Sequence, residues 1–228
     1  MVYDTVNDMI ENTTSPLFSI LIPTWNNLEM LKLCVRSIEN NSSFSHEILV
    51  HINDGSDGTL DWVKEKGIKH THSAGNIGVC WALNRLRSLV STDYIVFFND
   101  DMYACPGWDK AFYDEIKALG HKDFFLASTT IQPLAHNLRS IGVPVADYGR
   151  TVGEFDESSL LRDVRDMNVP DTKGAVWPPN IVHRDMWDLV GGYSIEYTPG
   201  LGSDPDFSAK LWMAGVRYFK TLGSSMCY

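Results

Sequence analysis

Apolar positions along the chain alternate between two patterns. Short unbroken runs read as strands buried on both faces, and stretches with apolar residues three and four apart read as amphipathic helices. Phe18-Ser19-Ile20-Leu21-Ile22-Pro23 is the first run, and its proline, which cannot donate to a ladder, is expected to stop it. Leu28, Leu31, Val35 and Ile38 then form a helical stripe, with Asn26 or Asn27 available as its cap, ending in the polar stretch Asn40 to Ser43. Ile48 to Ile52 is a second strand, Thr59 to Lys66 a short helix, and Ile68 to Thr71 a third strand. Val79, Ala82, Leu83, Leu86, Leu89 and Val90 mark one face of the next helix. Tyr94-Ile95-Val96-Phe97-Phe98 is the longest β-branched and aromatic run, followed by a helix over Trp108 to Leu119 and the strand Phe124 to Ala127. This alternation predicts an α/β fold, a mostly parallel central sheet flanked by helices on both faces.

The second half is less regular. Residues 131–173 hold scattered Gly and Pro and an acidic cluster including Glu154, Asp156 and Glu157, without a sustained period. They read as an elaborated loop region or short helices, and such long stretches in compact domains are often functional. Trp177 to His183 regains strand character, Arg184 to Val190 is a helical turn or two ended by Gly191-Gly192, and a helix opens at Gly202-Ser203-Asp204-Pro205-Asp206 and runs to Gly215. A last strand is expected near Val216 to Phe219.

Candidate chemistry lies where strands end. The central run stops abruptly in Asn99-Asp100-Asp101, which places two carboxylates at the sheet's carboxyl edge, where ligands of open α/β sheets bind. Adjacent carboxylates are costly unless something positive joins them. A divalent metal carrying a phosphorylated substrate would resolve that cost; a solvated turn is the plainer alternative. Asn53-Asp54-Gly55-Ser56 ends the second strand in the same manner, though Asp and Gly also favour turns for backbone reasons. Gly75-Asn76-Ile77-Gly78 precedes a helix whose N-terminus offers unpaired N–H groups. Neither the Gly-x-Gly-x-x-Gly nor the P-loop fingerprint is present. Asp204 stands at a helix start, where Ser203 as cap and Asp206 as its acidic partner give a purely structural reading. Trp177, Tyr193 and Tyr197 are candidates for an aromatic stacking platform or for the core. His70 and His72 have strand spacing that places both on one face, with no third partner evident.

The 228 residues, 44% hydrophobic and 11% aromatic, suffice for one sizeable core, so a single domain is expected. A formal charge of −10 with no basic run excludes a nucleic-acid polymer as partner, since phosphate neutralisation needs clustered Lys or Arg. Cys34, Cys80, Cys105 and Cys227 lack Cys-x-x-Cys spacing and read as free thiols of a reducing compartment. Residues 1–16 carry neither a basic nor an apolar leader region and are expected to fray. No run approaches the roughly 20 residues of a membrane helix. The expectation is a cytoplasmic protein without a transmembrane segment, with peripheral docking at a membrane still compatible.

Pro23-Thr24-Trp25-Asn26, Asn53-Asp54-Gly55-Ser56, Gly75-Asn76-x-Gly78-x-x-x-Ala82-x-Asn84 and Asn99-Asp100-Asp101, in this order, resemble the family 2 glycosyltransferases of GT-A fold. The resemblance runs from about Phe18 to Asp109 and resumes from Trp177 to Gly215. It implies a nucleotide-sugar half over about 17–109 and an acceptor-side half over about 110–228 of one domain. Carried over by position, it implies that Pro23, Thr24 and Asn26 line a nucleotide pocket, that Asp54 bonds the base, and that Asn76 and Gly78 lie close by. Asn99-Asp100-Asp101 matches the family's Asp-x-Asp motif. Asn99 takes the slot near the ribose that is usually acidic, Asp100 the variable middle position, and Asp101 the metal-ligand slot for Mn²⁺ or Mg²⁺. Asp204 matches the catalytic base of an inverting transfer, with Ser203 where a Glu usually precedes it. The implied partners are a nucleotide-diphosphate sugar donor and a glycan, lipid-linked or protein acceptor. Many relatives add a histidine metal ligand after the last strand, and this sequence has none there. A catalytically silent module that binds nucleotide or glycan within a larger assembly is the other reading. A sugar-phosphate nucleotidyltransferase is disfavoured, because Pro23-Thr24-Trp25-Asn26 lacks that class's Gly-rich basic first loop.

Overall fold

The structure is a computed structural model that describes residues 15–134 and 143–228. The leader discussed above therefore lies almost wholly outside the described residues. The elements in chain order are β1 (Phe18–Trp25), α1 (Leu28–Asn41), β2 (Glu47–Asn53), α2 (Thr59–Glu65), β3 (Lys69–Ser73), α3 (Gly78–Leu86), β4 (Tyr94–Phe97), α4 (Trp108–Leu119) and β5 (Phe124–Thr130). There follow α5 (Glu157–Asp163), β6 (Thr172–Lys173), β7 (Asn180–His183), α6 (Arg184–Val190), α7 (Ser203–Met213) and β8 (Tyr218–Cys227).

The strands form one sheet in the order β3-β2-β1-β4-β7-β5-β8-β6. β1 to β5 and β8 point one way, while β7, inserted between β4 and β5, and the edge strand β6 run against them. Alternate side chains of each strand feed opposite layers, as the period of two requires. Ile20, Ile22, Val50, Val96 and Phe124 pack on Leu31 and Val35 of α1 and Trp108 and Phe112 of α4. Leu21, Leu49, Ile95, Phe97 and Phe125 pack on Cys80 and Leu83 of α3, Trp187 of α6 and Phe207 and Leu211 of α7. The expected α/β sheet covered on both faces is therefore present. All four cysteines are buried and free.

Three local expectations are corrected. β1 runs past Pro23 to Trp25. Leu21 O accepts from Phe98 N at 3.0 Å, so Pro23, two residues on, turns its nitrogen the same way, beyond the Leu21–Phe97 end of the β1–β4 ladder. No ladder bond is lost there. The cap of α1 is not an asparagine side chain; Asp57 of the next loop accepts from Leu28 N at 2.9 Å. β8 extends beyond the expected Val216 to Phe219 as far as Cys227, because its pairing with β5 slips between Ser128 and Thr129 and absorbs Gly223 to Ser225. Residues 131–173 hold the short helix α5, in keeping with the expected loop region or short helices, and with its flanks it builds a third apolar cluster, Tyr148, Leu160 and Val164 packing on Tyr103, Cys105, Ile131 and Met226.

Candidate active site

β1, β2 and β4 end side by side, and each hands a polar residue to the same edge. Thr24 Oγ1, at the end of β1, donates to Asp100 Oδ2 at 2.6 Å, and the Cys34 thiol of α1 donates to Asn99 O behind the turn at 3.5 Å. Asp100 is half-buried and Asp101 exposed. Burial, reinforced by the neighbouring Asp101 charge and opposed by the Thr24 hydrogen bond, pushes the Asp100 carboxyl up to about 6.

The loops after β1 and β2 are tied to each other. Asn26 and Asp54 both take left-handed backbone (φ 46 and 65), a conformation that short amide and acid side chains tolerate better than others. Asn26 Nδ2 donates to Asp54 Oδ2 at 3.0 Å, and Asn26 Oδ1 accepts from Gly55 N at 2.9 Å. Buried Asn53 binds in both directions, donating to Thr24 O at 3.2 Å and accepting from Ile77 N at 2.8 Å.

The start of α3 departs from the sequence expectation. Its first N–H groups are not open to a ligand: Gly78 N donates to Asn76 Oδ1 and Val79 N to Pro199 O, each at 2.8 Å. Gly78 (φ 79) is needed because a Cβ there would lie 2.8 Å from Pro199 Cα and from Thr198 Cγ2. The close approach that this glycine permits is that of the segment leading into α7.

Pro23, Thr24, Asn26, Asn76, Gly78, Asn99, Asp100 and Asp101 line one cavity of about 420 Å³. Asp54 reaches it through its bond to Asn26. Sequence reasoning missed four of its other walls, Asn27, Asn53, Val79 and Pro199. Asn53 had a signal, an amide closing a buried strand; Pro199, far along the chain, had none. A second cavity of about 400 Å³ lies on the other side of Asn99 and Asp101, with Met30, Tyr103, Gln132, Arg150 and Tyr228 among its walls. It too was not legible, because its walls come from remote segments.

Asp204 does not line either cavity, but it follows shortly after Pro199, which does. Tyr193 Oη donates to its Oδ1 at 3.2 Å, and burial pushes the carboxyl up to about 6. The capping alternative at this helix start does not hold. Gly202 is the cap residue, Ser203 Oγ turns back to Gly200 O at 2.7 Å, and Asp206 accepts from Ser194 Oγ at 2.6 Å. Tyr193 is core, 1% exposed and stacked on Phe207, so it is no part of a surface platform; Trp177, 64% exposed, and Tyr197 remain on the surface. His70 bonds Ile68 O and His72 bonds Asp54 O, while His183 accepts from Asp185 N at the start of α6.

A hard divalent cation fits the oxygen donors of Asp100 and Asp101, since a positive charge there would offset the burial and the neighbouring Asp101 charge that raise Asp100. Among the described residues no group of three His, Cys, Asp or Glu side chains comes together, so further ligands would be water or substrate oxygens. Also among the described residues, no helix is long and apolar enough to cross a membrane.

Residues 19–139, more than half of the chain, match the sequence profile described as Glycosyl transferase family 2. No curated protein matches the chain. Among solved structures, the mannosyltransferase PcManGT from Pyrobaculum calidifontis, in complex with GDP-Man and Mn²⁺, superposes with TM-score 0.66 at 14% identity, over 94% of this chain and 57% of that one. Residues 1–349 of S. aureus TarS superpose with TM-score 0.62 at 15% identity, over 91% of this chain and 60% of that one. The same TarS fragment in complex with UDP gives TM-score 0.61 at 15% identity over the same shares. The chain thus spans 57 to 60% of the length of these structures.

Proposed function

The chain belongs to glycosyl transferase family 2 and carries its GT-A fold, and from that premise we propose that it moves a sugar from a nucleoside-diphosphate sugar to a hydroxyl of a glycan, lipid-linked or protein acceptor, with inversion at the anomeric carbon. The observation that supports this most is the convergence of Thr24, Asn26, Asn76, Asp100 and Asp101 on one cavity at the strand tips. Its volume of about 420 Å³ suits a small phosphorylated ligand.

In this reading Pro23, Asn26, Asp54, Asn76 and Gly78 hold the nucleoside, and Asn99 and Asp100 face the ribose and diphosphate. Asp101, with Asp100 beside it, would hold Mg²⁺ or Mn²⁺, which when bound offsets the negative charge that grows on the departing diphosphate. Asp204 accepts the acceptor's proton as the hydroxyl oxygen bonds to the anomeric carbon and the bond from that carbon to the diphosphate breaks. A carboxyl near 6 suits the task, being ionised at neutral pH yet basic enough to take a proton. The neighbours in complex with GDP-Man and with UDP make guanine and uracil the first bases to try.

A catalytically silent module is the second reading, favoured by buried Ser203 standing where relatives carry an acid. One experiment separates the two. The purified chain is melted with UDP, GDP, dTDP and CDP, each with and without Mn²⁺, beside Asp101→Ala, and the corresponding sugar nucleotides are assayed for release of diphosphate. A metal-dependent rise in melting temperature for one nucleotide, lost in the variant and accompanied by turnover, supports the transferase. Binding without turnover of any donor supports the silent module, and no shift with any nucleotide overturns the transferase and leaves the silent module only as a glycan binder.

A further inference from the structure

Tyr193 is held more tightly than a core tyrosine requires. Its ring stacks parallel on Phe207 with centroids 4.5 Å apart and meets Phe97 edge-on at 5.8 Å, leaving it 1% exposed. Its backbone is fixed from α3: Asn84 Nδ2 donates to Tyr193 O at 2.7 Å, and Asn84 Oδ1 accepts from Tyr193 N at 2.9 Å. The residue before it must be glycine, because a Cβ on Gly192 (φ 67) would lie 2.3 Å from Asn84 Oδ1. A side-chain amide thus replaces a strand neighbour for one residue. Its effect is to fix where the Tyr193 hydroxyl points, and that hydroxyl meets Asp204 Oδ1 at 3.2 Å. Among the described residues Oδ2 accepts no hydrogen bond.

We propose that Tyr193, clamped by Asn84, is a positioning residue that holds Asp204 by one carboxylate oxygen and leaves the other for the acceptor hydroxyl. This deepens the reading of Asp204 as base and rests on it. The chemistry is one-sided. Burial raises the Tyr193 phenol far above its ordinary range, so it stays protonated and only donates, which favours the ionised carboxylate against the burial that opposes it. The other titratable group facing Asp204 is Cys80 of α3, whose thiol burial also raises, so it stays neutral. Asp206, on the same helix as Asp204, is turned to Ser194. Asn84 lies on the helix whose first turn, Gly78 and Val79, walls the cavity. One rigid element therefore sets both the donor pocket and the base.

The test is a ¹³C NMR titration of the Asp204 carboxyl in the full chain, its signal assigned by its loss in Asp204→Asn, and compared with Tyr193→Phe and Asn84→Ala. Tyr193→Phe keeps the ring and its packing, and is expected to raise the Asp204 midpoint by about one pH unit, a tenfold change in proton affinity. Asn84→Ala, which frees the backbone and leaves the hydroxyl, is expected to move it the same way by less. With UDP-glucose and GDP-mannose as probes, in the presence of Mn²⁺, Tyr193→Phe lowers kcat for diphosphate release about tenfold, shifts its acid limb upward and leaves the donor KM unchanged. An unchanged Asp204 midpoint in folded Tyr193→Phe overturns the proposal, and needs no substrate to do so. Turnover by Asp204→Asn equal to the wild type would overturn the reading of the base instead.

Discussion

Thr24 Oγ1 and Asp100 Oδ2 lie 2.6 Å apart, and this one hydrogen bond joins the tip of β1 to the turn after β4. It does not cancel the cost of burying Asp100 beside Asp101, since the carboxyl still sits at about 6 against an ordinary 3.8, and Asp204 is displaced as far by burial alone. A carboxyl whose folded value is raised contributes stability that is complete below its unfolded value and is lost as pH rises through the folded one. At neutral pH both residues therefore destabilise the ligand-free chain, each by on the order of 3 kcal/mol. Asp100→Asn and Asp204→Asn should raise the melting temperature above that of the wild type at about pH 7.5. The gain should fade as pH falls from about 6 towards about 4. Melts across that range check it, and a gain independent of pH would mean that the carboxyls are not strained.

Gly78 sets how closely the segment entering α7 approaches the cavity at the strand tips. Gly78→Ala adds a left-handed alanine, costing about 1–2 kcal/mol, and a methyl 2.8 Å from Pro199 Cα, costing about 1–3 more. The expected loss is roughly 2–5 kcal/mol in urea denaturation. Nucleotide affinity should fall as well, because the shift moves Pro199 and with it a wall of the cavity. A fully stable variant would show that the loop yields without cost.

These two cases mark where the sequence was readable. Asp100 and Asp101 were legible because an unbroken apolar run ends in them, and a doubly covered strand can end that way only at an edge of the sheet. Asn26 and Asp54 were legible as polar residues at strand ends, but not as partners, because their bond depends on two left-handed turns that no spacing reports. The occupation of the α3 terminus by Pro199 was not legible, because it depends on a chain reversal more than a hundred residues later. The extent of β8 was hidden by Gly223-Ser224-Ser225, whose composition is that of a turn; buried Ser225 instead bonds Ser128 Oγ at 2.6 Å inside a slipped ladder. Periodicity reports neighbours on the same element. It does not register Leu160 and Val164, which pack on Tyr103 and Met226.

Asp109 is wholly buried at the start of α4, and its Oδ2 accepts from Ser43 N at 2.7 Å and Phe44 N at 2.8 Å and meets His46 Nε2 at 3.1 Å. The hydrogen bond from His46 and those from the two backbone groups outweigh burial and hold the carboxyl below its ordinary range. Asp109→Ala leaves those donors buried without an acceptor and should cost about 3–5 kcal/mol in urea denaturation at neutral pH. A depressed carboxyl stabilises above its unfolded value and loses that contribution as pH falls through the folded one. The gap between wild type and variant should therefore narrow below about pH 4, opposite in direction to the behaviour of Asp100. A gap constant with pH would assign the loss to packing.

Trp177 is 64% exposed, yet the segment that carries it is well anchored: Ser128 N donates to Pro179 O at 2.8 Å, and Asn180 Nδ2 donates to Val176 O at 3.4 Å. An indole face held rigidly in water offers a large apolar area at little entropic cost, which suits it to stack on an acceptor sugar. Because little of it is buried, Trp177→Ala should leave the melting temperature nearly unchanged. Any nucleotide- and Mn²⁺-dependent thermal shift should be unchanged too, since Trp177 does not line the strand-tip cavity proposed to take the donor. Transfer to glycan acceptors should fall about tenfold through KM, equivalent to about 1.4 kcal/mol, while hydrolysis of the sugar nucleotide by water stays at the wild-type rate. Parallel assays of transfer and hydrolysis distinguish the cases: an equal fall in both would place Trp177 in the donor chemistry, and no fall in either would leave it an exposed side chain without a part in the reaction.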